Sequence, residues 1–367
     1  MPNPLNALHA AGQSAWLDFI RRSLVTSGEL QRLITDDEIC GLTSNPTIFE
    51  KAIGGSSDYD EALRGLLKNN PRSEVNDLYE QLAIADIQMA ADLFKPVYEA
   101  SKATDGFVSL EVSPLLANDT QGTIAEAKRL WAAVARPNLM IKVPGTKAGI
   151  PAIEAILAAG INVNVTLMFS LAHYEAVAAA YLRGAAQCKT PERLASVASF
   201  FVSRVDTNLD PTLTKLGTPE ALALRGKIAI ANCKVVYQKF GELFHGKPFK
   251  ALKAKNAQVQ RLLWASTSTK NPAYSDVMYV AELIGKATVN TVPPETITAF
   301  RDHGKAGLTL DQGLGDARQQ LATLAKLGVD LNAVAEQLQA EGVKAFAASF
   351  DKLMATLKQK RDAMLKG

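Results

Sequence analysis

Leu139-Met140-Ile141-Lys142-Val143-Pro144 and, shortly after it, Val163-Asn164-Val165-Thr166-Leu167-Met168-Phe169 decide the fold. Each is a near-continuous apolar run with isolated polar residues embedded in it. A half-solvated sheet would alternate apolar and polar residues, whereas runs of this kind fit parallel strands covered on both faces. A short Gly-rich turn and the helical stretch Pro151–Ala159 lie between them. The pair therefore reads as one strand–helix–strand unit.

The same pattern recurs on either side. Strands are expected at Ala15–Phe19, Ile39–Ser44, Phe107–Val112, Ser199–Val205, Arg261–Ser266 and Ala287–Val292, which with the first two makes eight. Helical stretches separate them. In Ser73–Ala100 the apolar residues Val75, Leu78, Leu82, Ala85, Met89, Leu93 and Val97 recur at three and four, and Ser73 is the expected N-cap. Glu220–Phe244 is expected to be one long helix with Gly241 near its end. Eight alternating β and α units imply an α/β fold, a closed (βα)8 TIM barrel. Beyond Val292 only helices are expected, at Asp311–Leu327 and Leu331–Leu365, with Gly328 and Gly342 as breaks. No linker precedes them. They read as an extension packed on the barrel within a single domain over residues 1–367, the barrel at about 14–300 and the extension at about 301–367.

Composition narrows the function. Of 367 residues, 47% are hydrophobic and 21% charged, the balance of a soluble globular enzyme. Forty basic and 37 acidic residues leave a net charge of +3, too even for a nucleic-acid binder. The most basic stretch, Lys358–Arg361, reads as a solvated helix end. Cys40, Cys188 and Cys233 are few, far apart and odd in number, as expected of reduced thiols. No signal-peptide pattern opens the chain and no apolar run nears the ~18 residues that cross a bilayer, so a cytoplasmic location and no membrane partner are expected. His9, His173, His245 and His303 form no metal-binding pair, and no GxGxxG, GxxxxGK[ST] or GxSxG motif occurs where it would need to, so no metal or organic cofactor is expected.

In barrels of this kind the active site lies at the C-terminal ends of the strands. The polar residues near those ends are Asp18, Asn45, Glu111, Lys142, Asn164, Thr166, Arg204 and Ser266. Lys142 is the most informative. An ammonium among apolar neighbours is costly to bury. A buried amine titrates below its usual ~10.4, and a neutral amine is what attack on a ketone requires. The competing reading is a lysine that reaches solvent or pairs with a structural carboxylate. Glu111 and Asp18 are carboxylates inside apolar strands, and such groups are rarely buried without a partner. Two carboxylates in different surroundings can divide the acid–base work of Schiff-base chemistry. Structural salt bridges, or hydrogen bonds that close the barrel, would account for them equally well.

These residues match a family. Gly41-Leu42-Thr43-Ser44-Asn45-Pro46-Thr47 resembles the first signature of transaldolases. Leu139–Pro144 with Gly160-Ile161-Asn162-Val163-Asn164-Val165-Thr166-Leu167-Met168-Phe169-Ser170 resembles the second, which holds the Schiff-base lysine. The resemblance runs from about Leu17 to Val292, and the helical tail is similar to the branch with a C-terminal extension. It implies transfer of a dihydroxyacetone unit from a ketose phosphate to an aldose phosphate, in the non-oxidative pentose phosphate pathway, without metal or organic cofactor. It also implies roles. Lys142 attacks the donor ketone, Asp18 takes the C4 hydroxyl proton, and Glu111 acts through a water that Thr166 helps to hold. Asn45, Asn164 and Ser199 bind the dihydroxyacetone hydroxyls, and Arg204 and Ser266 bind the distal phosphate.

One position departs from the pattern. Many relatives carry a second arginine where this chain has Ser268, and Lys270 is the nearest replacement charge, a point charge and not a fork. A rival within the family is a fructose 6-phosphate aldolase, which releases free dihydroxyacetone. Those relatives are shorter and tend to carry glutamine at Glu111 and tyrosine at Phe201. A rival of another class is a non-catalytic barrel scaffold. The C-terminal helices leave a homodimer, or a fusion or docking partner, open.

Overall fold

The computed structural model describes residues 3–366. Eight strands run parallel and close in chain order into a (βα)8 barrel, the last pairing with the first. They are β1 (Gln13–Leu17), β2 (Gly41–Thr43), β3 (Phe107–Glu111), β4 (Leu139–Pro144), β5 (Val163–Met168), β6 (Ser196–Phe201), β7 (Arg261–Ala265) and β8 (Thr288–Val292). Apart from the partly exposed Arg261, every strand residue is buried, which is why these runs read as apolar throughout rather than alternating. Register then does the positioning. Glu111 lies opposite Lys142 and Lys142 opposite Asn164, so three polar side chains form one row across β3, β4 and β5. Partnered residues in a parallel ladder share a face of the sheet.

Four sequence expectations are corrected. The sixth strand is Ser196–Phe201 and not Ser199–Val205. The chain turns at Val202, and Ser203–Leu216 is a helix that buries Val205, Leu209 and Leu213 at helical spacing. The apolar run Phe200-Phe201-Val202 hides that change of period. Arg204 therefore sits in the first turn of a helix, beyond the strand end. Glu220–Phe244 is two helices, Pro219–Leu222 and Ile228–Phe244. Gly226 between them has φ +68°, donates its N–H to Asp210 Oδ1 at 3.0 Å, and packs so tightly on Tyr274 that a Cβ would lie 2.8 Å from its ring. Ser73 does not cap its helix, which starts at Val75. Its hydroxyl instead donates to the Asn70 carbonyl at 3.0 Å.

The fourth correction concerns the tail. Gly328 does end the helix Leu314–Lys326, at φ +80°. Gly342 breaks nothing, for the helix Leu331–Met364 runs straight through it. Glycine is needed there for approach: a Cβ would come within 2.8 Å of Leu167 Cδ2 on β5. This C-terminal helix buries Ala335, Leu338, Gln339, Gly342, Phe346, Phe350, Leu353 and Leu357 along one stripe. The stripe packs on the helices Pro46–Gly54 and Val75–Ala100 and on β5. Each large apolar side chain so buried is worth ~1.5–3 kcal/mol before entropy is counted. Polar clasps accompany it: Thr47 to Ser349 at 2.8 Å, Glu50 to Lys352 at 2.7 Å, and Asp60 to Lys360 at 2.8 Å. The apolar face of the tail is thus spent on its own barrel.

Among the described residues, no helix is long and apolar enough to cross a membrane.

Candidate active site

The strand ends and the loops that follow them enclose a cavity of about 620 Å³. Lys142 points into it from β4. Its ammonium donates to the Ser44 carbonyl at 3.1 Å and lies 3.5 Å from Glu111 Oε2. Both side chains are under a tenth exposed. Glu111 does not line this cavity; it lines a smaller one of about 280 Å³ behind β3 and reaches the site through its contact with Lys142. Among the described residues, neither of its oxygens has a hydrogen-bond partner, and the Thr166 hydroxyl, also buried and facing the cavity, has none either. Buried polar groups are almost always satisfied, so two orphans beside one amine are what a bound water or substrate would complete. Burial pushes the Glu111 carboxyl up to about 7, against the pull of the Lys142 ammonium.

Asp18 follows the last residue of β1, its N–H donating to the Val292 carbonyl at 2.9 Å. Its Oδ1 accepts from Thr43 Oγ1 at 2.8 Å, and Thr43 pairs with Thr291 Oγ1 at 2.7 Å. Burial raises its carboxyl above the ordinary range, opposed by Lys142 and by the Thr43 hydroxyl. Asp18, Thr43, Lys142, Thr166 and Ser199 all face the same cavity.

The expected sugar-binding residues divide. Asn45 faces the cavity, but its Oδ1 caps the Pro46–Gly54 helix by accepting from Ile48 N at 2.9 Å. Only its amide nitrogen is left to reach a substrate. Asn164 is wholly buried, donating to Ser109 Oγ at 3.0 Å and accepting from Ser199 Oγ at 2.7 Å. It is brought beside Lys142 by register, beneath the cavity floor and not on its surface.

At the outer end, Arg204 faces the cavity with its guanidinium 5.0 Å over the Phe201 ring. Among the described residues it makes no ion pair, so it is not a surface salt bridge, and burial lowers its pKa. Ser266, at φ +57°, follows β7, and its hydroxyl meets Ser203 Oγ at 3.1 Å. Left-handed backbone at a non-glycine residue costs ~1–2 kcal/mol and tends to gather at functional sites. Leu167, at φ +63° beside the β5–β6 register shift, shares this backbone but does not line the cavity. Ser268 and the exposed Lys270 complete the rim, the Lys270 ammonium donating to Ser268 Oγ. Lys51 faces them from the Pro46–Gly54 helix, without an ion pair among the described residues.

Sequence reasoning missed Lys51, Glu295 and Phe346, all of which line the cavity. Phe346 comes from the C-terminal helix, where it is one apolar residue in a packing stripe and carries no signal of its own. A wider cleft of about 860 Å³ lies on the barrel's flank, lined by Arg21, Arg32 and Arg301. Arg21 and Arg301 are held there by Asp58 and Asp37, and among the described residues no lysine lines it. Among the described residues, no group of three or more His, Cys, Asp or Glu side chains could hold a metal ion.

Fold and cavity together define a βα barrel with a buried lysine amine, flanked by carboxylates, at the C-terminal ends of its strands. The pattern of the transaldolase/fructose-6-phosphate aldolase family matches residues 15–357. A transaldolase of Thiobacillus denitrificans is 49% identical over 350 residues, 94% of this chain and 97% of its own length. One from a Parafrankia species is 48% identical over 364 residues, 98% of each chain. The transaldolase 2 of a Nostoc species is 46% identical over 374 aligned positions, 98% of this chain and 97% of its own length. The chain belongs to the transaldolase/fructose-6-phosphate aldolase family.

Proposed function

We propose that this protein is a transaldolase, moving a dihydroxyacetone unit from a ketose phosphate such as fructose 6-phosphate or sedoheptulose 7-phosphate to an aldose phosphate. The observation that carries the reading is the Lys142 amine, buried at the strand ends 3.5 Å from a carboxylate that has no hydrogen-bond partner among the described residues.

The Lys142 amine, once it has given up its proton, attacks the donor ketone. The carbinolamine then loses water to form an iminium ion. Glu111, whose carboxyl is pushed up to about 7, gives a proton to the departing hydroxide and takes one back from water in the reverse step. Thr166, with its free hydroxyl, holds that water. Asp18 removes the C4 hydroxyl proton as the C3–C4 bond breaks, and the electron pair enters the iminium to leave an enamine on Lys142. An acceptor aldehyde then forms the new carbon–carbon bond, and hydrolysis frees the product. Asn45 and Ser199 hold the dihydroxyacetone hydroxyls, with Asn164 fixing Ser199. Arg204 grips the distal phosphate as a fork, with Ser266, Lys270 and Lys51 around it. This reaction belongs to the non-oxidative pentose phosphate pathway, and three buried free cysteines accord with a reducing, cytoplasmic setting.

The test is a coupled assay with fructose 6-phosphate and erythrose 4-phosphate. Transferase activity yields sedoheptulose 7-phosphate in step with glyceraldehyde 3-phosphate. Glyceraldehyde 3-phosphate formed with free dihydroxyacetone, independent of the acceptor, would make the protein an aldolase. No turnover of either kind would leave a scaffold.

A further inference from the structure

We infer that the C-terminal helix is a wall of the reaction chamber, and that Phe346 on it keeps water from the Lys142-bound enamine and so sets how often the intermediate is transferred rather than hydrolysed. The inference rests on the Schiff-base reading of Lys142.

Phe346 is 4% exposed, lines the cavity, and places its ring centroid 6.0 Å from Lys142 Nζ. The cavity lining mixes polar side chains, Asp18, Thr43, Thr166 and Ser199, with apolar ones, Phe19, Ile48 and Phe201, and Phe346 places its aromatic ring over the Lys142 amine itself. It comes from the end of the chain, and the structure fixes it there with specific contacts. One helical turn and more before it, Gly342 lets the helix lie against Leu167. Gln339, 8% exposed, donates its amide to the carbonyls of Gly145 at 3.1 Å and Leu167 at 2.9 Å. Gly145 directly follows β4 and Leu167 is the next-to-last residue of β5, the strands that carry Lys142 and Thr166. One turn after it, Phe350 packs edge-on to Tyr79 at 5.6 Å. A merely stabilising helix has no need to bind the backbone ends of the two strands that carry the reactive amine and its neighbouring hydroxyl.

The chemistry supplies the purpose. The enamine has two fates. Its nucleophilic carbon can bond to the acceptor's carbonyl carbon, the carbonyl oxygen taking a proton, to give the transferred iminium. Alternatively that carbon takes a proton from water. Water then adds to the resulting iminium carbon and the Lys142 amine departs, so that enamine plus water yields dihydroxyacetone and free enzyme. The first fate needs an aldehyde and the second needs only solvent. Excluding water over the amine favours the first, and a ring face near the nitrogen also favours the iminium charge.

The measurement is the partition ratio, free dihydroxyacetone released per acceptor product formed, at saturating fructose 6-phosphate. A graded series, Phe346→Leu, Phe346→Val and Phe346→Ala, is compared with the wild type, each checked for a borohydride-trapped adduct on Lys142. The ratio is expected to climb as the side chain shrinks, by roughly tenfold or more from Phe to Val. A purely structural role would lower transfer and hydrolysis together and leave the ratio unmoved. A ratio within twofold of wild type in Phe346→Val, with the adduct still trapped, overturns the inference. The Val variant decides the matter should the Ala variant fail to fold. Absence of the adduct in the wild type is a separate failure, that of the Schiff-base reading itself.

Discussion

The two ends of the barrel treat buried charge in opposite ways. At the end where the strands begin, Asp105 is 6% exposed and fully paired. It accepts from Ser14 Oγ at 2.6 Å, Trp16 Nε1 at 2.9 Å and Arg261 Nη2 at 2.9 Å, while Arg261 also reaches Ser14 Oγ and the Thr104 carbonyl. At the end where the strands finish, Glu111 is just as buried, yet among the described residues its oxygens have only an ammonium at 3.5 Å and no hydrogen bond. The closed network ties β1 and β7 to the loop before β3. The open one costs stability and leaves its groups available. A division between a stabilising and a reactive end is the general logic of this barrel, and under the proposed mechanism Asp105 falls at the one end and Glu111 at the other.

Removing the nucleophile should break the comparison most sharply. Lys142→Met is expected to lower turnover by ~10⁴-fold or more, because a covalent route is lost. The thermal midpoint should change little, since the buried cation has gone and Glu111, left without it, can take up a proton. Steady-state kinetics beside thermal unfolding will show both. Asp105→Ala should do the reverse. It leaves the partly exposed Arg261 without its carboxylate and the buried Ser14 hydroxyl and Trp16 N–H without their acceptor, a loss on the order of 3 kcal/mol in urea unfolding, while kcat and KM per folded molecule stay at wild-type values.

Glu111→Gln sharpens the contrast through pH. Turnover is expected to fall by ~10²-fold or more, and an inflection near pH 7 in the wild-type profile should vanish. The stability sign follows from the raised pKa. Folding favours the protonated carboxyl, so this contribution is full below about 4.5 and is lost as pH rises through about 7. Glu111→Gln should therefore be more stable than wild type above pH 7 and indistinguishable from it well below 4.5. Smaller effects belong to the phosphate end. Arg204→Lys should raise KM for phosphorylated donors by ~10-fold, because a point charge replaces a fork, with kcat affected less. Ser268→Arg should lower the same KM by a few-fold if Lys270 is only a partial substitute, a change of about 1 kcal/mol.

Much of this was legible in the sequence, and the exceptions have physical causes. All eight strands were readable because parallel strands buried on both faces leave an unbroken apolar signature. Lys142, Glu111 and Asp18 stood out because charge is out of place in such a run. Boundaries failed where an apolar run crossed from strand into helix, at Val202. Gly342 was misread because glycine marks a break and a close approach with the same letter, and only the Leu167 side chain tells them apart. The left-handed backbone of Leu167 had no sequence signal, since leucine does not favour that region. Phe346 was hidden by its own helix: a residue that packs and a residue that lines a reaction chamber share one stripe. The capping duty of Asn45 and the full burial of Asn164 likewise emerge only from three-dimensional partners.

The most direct test is covalent. The protein is incubated with fructose 6-phosphate in EDTA, reduced with borohydride, digested, and mapped by peptide mass spectrometry. The account predicts a reduced three-carbon adduct on Lys142, absent from Lys142→Met. An adduct on another lysine, or none at all, would contradict it.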